Sequence, residues 1–286
     1  MKKIFLLAAM AAVMMTACSN DASEYATQEQ TPEPTDVVLT FSPYDIAPMT
    51  RAATSIADVV TRLDVWILHD GTEAAAVHQT AGTAGFGSIA VTLDKNQTYT
   101  LYAVGHKASE PCTLRDGLIT FGGDGKVTQA MWYTAVFTPA ETATLSCLMQ
   151  RIVGQFRLET TDAVPEDVTT MTFEVKSALT QWNVAGYGAG ATDRTTTYTG
   201  FDRNADDGTA NFTATTISTA DEPTLHTIVV TATTADGTVR QQRTFTDVPI
   251  RNGYKTTYRG EFFTNTNTQA AFTVESDWNN YDVTTF

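Results

Sequence analysis

Ile228-Val229-Val230-Thr231-Ala232-Thr233-Thr234-Ala235-Asp236-Gly237-Thr238-Val239 is the stretch on which the reading of the fold turns. β-Branched residues alternate on both sides of Asp236-Gly237, a dipeptide that supplies the left-handed backbone a tight hairpin needs. The pattern predicts strands over 225–234 and 238–245, joined at that turn. Nothing in it repeats with the 3.6-residue period of an amphipathic helix.

The same pattern extends in both directions. Upstream, strands are predicted over 37–41, 59–69, 88–93, 98–104, 118–121, 133–137, 143–149, 152–158, 171–175 and 210–217. Downstream, Val248-Pro249-Ile250-Arg251-Asn252-Gly253 makes a corner, and strands follow over 256–264 and 272–278. Within 59–69, Leu63, Val65 and Ile67 face one way while Arg62, Asp64 and Trp66 face the other. Asp94-Lys95-Asn96-Gln97 reads as the connection of a second hairpin. Short strands at this spacing describe β-sandwiches, and the chain is long enough for two in tandem.

Composition agrees with that fold and excludes several functions. The 286 residues carry a formal charge of −14, which does not suit a surface built to neutralise phosphates, so nucleic acid is not an expected partner. Charged residues make up 17% of the chain, and threonine supplies much of the remaining polar surface, which favours strands over helices.

The amino end reads as an export signal. Lys2 and Lys3 precede an apolar run over 4–13 that is too short to span a bilayer, and Met15-Thr16-Ala17-Cys18 follows. Small residues immediately before a cysteine resemble the bacterial lipobox, which implies cleavage before Cys18 and acylation of that residue. Residues 1–17 are then the signal and 18–36 a flexible, Pro-, Thr- and Glu-rich tether. The folded body divides into sandwiches over 37–147 and 148–286. In an oxidising compartment Cys112 and Cys147 could pair, or each could be a small buried apolar residue.

No catalytic constellation emerges, so an enzyme is not expected, and neither a cofactor nor a metal is called for. Asp202-Arg203-Asn204-Ala205-Asp206-Asp207-Gly208 begins like a calcium loop, but its glycine is one place late and Thr213 stands where the bidentate glutamate belongs. His69, His78, His106 and His226 fall in four separate predicted elements. Trp132-Tyr133 and Trp182 with Tyr187 could form an aromatic platform for sugar.

The order of several short segments resembles the fimbrillin superfamily of Bacteroidota, most closely its minor, FimB-type anchor branch. These segments are Phe41-Ser42-Pro43, Met49-Thr50-Arg51-Ala52, Leu63-Asp64-Val65-Trp66-Ile67-Leu68, the middle run 148–156, and Val248-Pro249-Ile250-Arg251-Asn252-Gly253 with Gly260-Glu261-Phe262-Phe263. The resemblance implies two transthyretin-like β-sandwiches, no catalysis, and a lipoprotein precursor on the cell surface at the outer membrane. It also implies that stalk subunits are cut by an arginine-specific protease, which places the candidate bond between Arg51 and Ala52. Subunits of this family assemble by strand donation, so other fimbrial subunits are the expected partners.

Two segments could take part in that exchange. Val37, Leu39 and Phe41 precede Arg51 and would be separated from the body by the cut. Phe272, Val274, Ser276 and Trp278 give the carboxyl end a period-two face. The alternative from a different class is a surface lipoprotein that binds glycans.

Overall fold

The computed structural model describes residues 33–44, 55–123, 127–140, 143–218, 222–264 and 272–277. Among them, seventeen strands and one short helix are formed. The first half contains β1 (Pro34–Pro43), α1 (Ile56–Val59), β2 (Arg62–His69), β3 (Thr72–Thr80), β4 (Ser88–Asp94), β5 (Tyr99–His106), β6 (Thr113–Arg115), β7 (Leu118–Thr120), β8 (Ala130–Phe137) and β9 (Ala143–Arg151). The second contains β10 (Val153–Thr160), β11 (Val168–Asn183), β12 (Tyr187–Thr199), β13 (Asn211–Ile217), β14 (Thr224–Thr234), β15 (Val239–Ile250), β16 (Lys255–Gly260) and β17 (Phe272–Asp277). The chain is all-β.

Seven strands of the first half follow the order β3-β2-β5-β8-β9-β1-β4. β8 and β9 pair only at Met131/Arg151 and Trp132/Gln150, so the sheet turns over at that seam into two layers. The layers enclose Val37, Leu39, Leu63, Val65, Ile67, Leu101, Cys147 and Met149, each 0 or 1% exposed. Alternation places these side chains on inward faces, as period two requires.

The second half orders its strands β15-β14-β11-β13-β10-β16-β17, with β12 alongside β11. Its core is aromatic: Phe156 lies 5.5 Å from Phe245 and 5.4 Å from Tyr258, and Phe173 lies 5.6 Å from Phe212. The hairpin at Asp236-Gly237 forms as read, with β14 and β15 antiparallel and Val229 opposite Thr244.

Four details depart from the sequence reading. Asp94–Gln97 closes no hairpin, because β4 pairs with β1 while β5 pairs with β2 and β8. The connection crosses from one layer to the other, and Leu93 and Tyr99 reach the same core from opposite sides. Turn residues signal a reversal of the chain but not which sheet receives each strand.

Val59 is helical rather than extended. Ser55 Oγ accepts the Ala57 N–H at 3.3 Å, and the Ser55 N–H donates to Asp58 at 2.9 Å, which caps a single turn. Asp70 and Gly71 follow β2 at φ 48° and 75°. They form the left-handed turn of a β2–β3 hairpin, and β3 had no predicted strand. β12 has no predicted strand either, since its Gly-, Ala- and Thr-rich sequence carries no apolar alternation; it lies mostly exposed along β11, with Tyr198 packed on the core 5.7 Å from Phe173 and 5.4 Å from Phe212.

Candidate functional site

β1 occupies an interior position, parallel to β9 on one side and antiparallel to β4 on the other. Val37 and Leu39 are 0% exposed and Phe41 6%, so one face of the strand fills the first core. The backbone is held beyond the ladders as well: the Phe41 N–H donates to Gly87 O at 2.8 Å and the Tyr44 N–H to Met149 O at 2.7 Å. Withdrawing this strand would uncover two unpaired strand edges and an apolar slot between them, at a cost of about 1.5–3 kcal/mol for each large side chain returned to water. Cys18, Arg51, Ala52 and Trp278 lie outside the described residues.

At the other end, β17 pairs, among the described residues, with β16 alone and forms a sheet margin. Phe272 is buried against Phe245 at 5.1 Å, with the Arg243 guanidinium 5.7 Å from its ring centroid. Val274, two residues on, is 46% exposed, so the apolar face that begins at Phe272 runs out past the core. The carboxylate of Asp162 accepts backbone N–H bonds from Phe262, Phe263 and Thr264 at 2.8, 2.6 and 2.7 Å, and so fixes how the chain leaves β16.

A cluster that the sequence reading dispersed assembles around Asp64. This carboxylate is 0% exposed. It accepts hydrogen bonds from His106 Nε2 at 2.7 Å, His78 Nδ1 at 2.8 Å and the Cys112 N–H at 2.6 Å. Burial alone pushes its pKa up, but the bonds from His106, the Cys112 amide and His78 outweigh burial and hold it below the ordinary aspartate value. Asp64, His106 and Cys112 are close enough together to suggest a metal site.

The proton positions argue otherwise. His106 Nδ1 accepts the Ala108 N–H at 3.1 Å, so the ring proton sits on Nε2 and points at Asp64. A metal on Nε2 would move the proton to Nδ1 and set two donors against each other, the reverse of the polarity that supports a ligating histidine. With both ring nitrogens engaged, none is left to activate Cys112. The residues fit a hydrogen-bond hub, buried at Asp64, His106 and Cys112 and open to solvent at His78, better than a metal or nucleophile site.

The signal for this hub was an aspartate inside an apolar run beside Trp66, on the face read as outward. That face is covered, with Trp66 4% exposed. His78 stands directly opposite Asp64 in the β2–β3 register, which no spacing along the chain discloses.

The aromatic platform is corrected in the same way. Trp132 and Trp182 are 7% and 2% exposed, with ring centroids 6.2 Å apart, and Tyr102 stacks on Trp132 at 5.7 Å. These two indoles are core residues between the sandwiches and are unavailable to a sugar ring. The calcium-like loop bonds to itself: Asp207 accepts from Thr209, and Asn204 from the Asp206 N–H.

Cys112 and Cys147 are both free thiols and both buried, in different cores. Burial pushes Cys147 up to about 12; burial first, then the Asp64 charge, raises Cys112 further. Neither is expected to react with iodoacetamide in the folded chain at pH 8. Peptide mapping of native against urea-treated protein should show labelling at least about a hundredfold slower in the native state. Native labelling at the unfolded rate would refute the burial of these thiols.

No protein-family model matches the chain, and no curated protein does either. Solved structures do. A candidate adhesin from Bacteroides thetaiotaomicron matches with a TM-score of 0.52 at 12% identity, over 87% of this chain and 97% of that one. A candidate cell adhesion protein from Bacteroides eggerthii matches with a TM-score of 0.50 at 14% identity, over 86% and 95%. The fimbrial anchor protein Mfa2 from Porphyromonas gingivalis gives 0.48 at 16% identity, over 79% and 90%. The two Bacteroides matches show that this chain shares their fold along nearly its whole folded length.

Proposed function

We propose that this chain is a structural subunit of a fimbria of the Bacteroidota type or its membrane anchor, the anchor form being held at the outer surface of the outer membrane through acylated Cys18. It assembles with other fimbrial subunits by strand donation and supports adhesion, with sandwiches over 37–147 and 148–286 as its two building blocks. The observation that carries this reading is the position of β1, an interior strand at the amino end of the folded body, followed by residues 45–54 with Arg51 among them. Cleavage after Arg51 turns β1 into a separable insert and its slot into a receptor for another chain's strand, with main-chain bonds giving affinity and alternate side chains giving fit.

The names of the fold relatives, adhesin and cell adhesion protein, support the same role. Glycan binding loses its proposed platform with Trp132 and Trp182 buried.

Mass spectrometry of the protein from its native envelope tests the reading. An acylated Cys18 terminus marks an anchor, and a free Ala52 terminus marks a polymerising subunit. An amino end that carries no lipid and arises from a cut elsewhere than Arg51 would contradict both forms of the proposal.

A further inference from the structure

Residues 107–123 leave the first sandwich after β5, carry the β6–β7 hairpin, and return toward β8. The base of this arm is fastened to the first sandwich. The Arg62 guanidinium donates to Ser109 O at 2.6 Å, Asp64 holds the Cys112 N–H at 2.6 Å, and His106 Nδ1 accepts the Ala108 N–H at 3.1 Å. Its tip belongs to the second. β7 pairs antiparallel with the end of β11, Thr120 opposite Gln181 and Leu118 opposite Asn183. The Val184 N–H donates to Gly117 O at 2.9 Å, and Gln181 Nε2 to Thr120 Oγ1 at 2.7 Å.

Between base and tip, Cys112, Ile119 and Phe121 sit in a third core with Val104 and Trp132 from the first half and Val153, Trp182 and Ile217 from the second. None of these is more than 7% exposed. The arm also folds tightly on itself: a Cβ at Gly122 would lie 2.3 Å from Pro111 O.

Domains in one chain usually meet through modest, rather polar surfaces and move against each other. Here a backbone ladder crosses the junction and a dry core closes over it. The described residues from Glu33 onward accordingly form one compact unit. We infer that the Asp64 hub and the β6–β7 hairpin act together as a brace, so that the two sandwiches fold and resist bending as one cooperative body and not as two domains on a hinge. The inference does not rest on the fimbrial reading. For any chain pulled from both ends, it removes the waist at which the chain would flex.

Because base and tip share one arm, loosening either must loosen the other, by the reciprocity of coupled equilibria. Calorimetry and hydrogen exchange on the full chain test this. The unaltered protein is expected to show one thermal transition whose calorimetric and van't Hoff enthalpies agree. Asp64→Asn should speed exchange in the β7–β11 ladder by about tenfold and, because the chain opens as one body, by a similar factor in the remote β14–β15 ladder. Ile119→Ala, at the tip, should in turn speed exchange of the Cys112 amide. If Asp64→Asn does not fold, the Ile119→Ala result decides alone. Two resolved transitions in the unaltered protein would overturn the inference. So would Asp64→Asn acting only on 104–112, or Ile119→Ala leaving the Cys112 amide unchanged.

Discussion

Leu39→Asp is expected to unfold the chain at 25 °C. Leu39 is 0% exposed at the middle of an interior strand. Losing its packing costs about 3–5 kcal/mol, and a carboxylate desolvated in that core costs several kcal/mol more. The total rivals the roughly 5–15 kcal/mol by which domains are stable. Exchange protection in β4 and β9, the two strands that flank β1, should vanish. Thr40→Ser, at a half-buried neighbour facing the other way, should keep that protection. Retained protection in Leu39→Asp would mean that β1 is a dispensable passenger on the sheet.

Asp64→Ala is expected to lower stability by about 2–6 kcal/mol. It strands two buried donors, His106 Nε2–H and the Cys112 N–H, at about 1–3 kcal/mol each. The shift should appear in the urea midpoint with the slope unchanged.

The same carboxylate gives a pH signature with a fixed sign. Its folded pKa is held below the ordinary value of 3.8, so between the two values the unfolded chain binds more protons than the folded one. Its contribution to stability is therefore fully present above pH 3.8 and is lost as pH falls through the folded value. The midpoint of the unaltered chain should fall more steeply below pH 4 than that of Asp64→Ala. Parallel curves would show that the hub carries no charge-dependent stability.

The contrast between what the sequence disclosed and what it hid has a physical basis. Strands with one buried face were legible, because alternation is a local property: Leu63, Val65 and Ile67 needed no partner to be assigned to a core. Asp236-Gly237 was legible because its backbone preference is intrinsic to the two residues. The Asp64 hub was not, because it exists only once β2, β3, β5 and the arm before β6 are brought together, and each histidine alone looks like any other. Trp132 and Trp182 misled for a related reason. An indole on the outer face of one sheet is exposed only if nothing docks there, and docking is a long-range fact. β12 is not legible because an edge strand whose one core-packed aromatic is Tyr198 lacks the repeated apolar residues that alternation needs.

The account turns on whether the place of β1 can be taken by a strand from another molecule. The most direct measurement cuts the folded full chain after Arg51 with an arginine-specific protease and adds a labelled peptide spanning residues 272–286. Retention of the label is then followed by size exclusion under mild denaturant. Release of the fragment carrying Pro34–Pro43 with one peptide retained per chain is the predicted result. A cut chain that keeps its own β1 and binds no peptide, or that unfolds without taking one up, would contradict it.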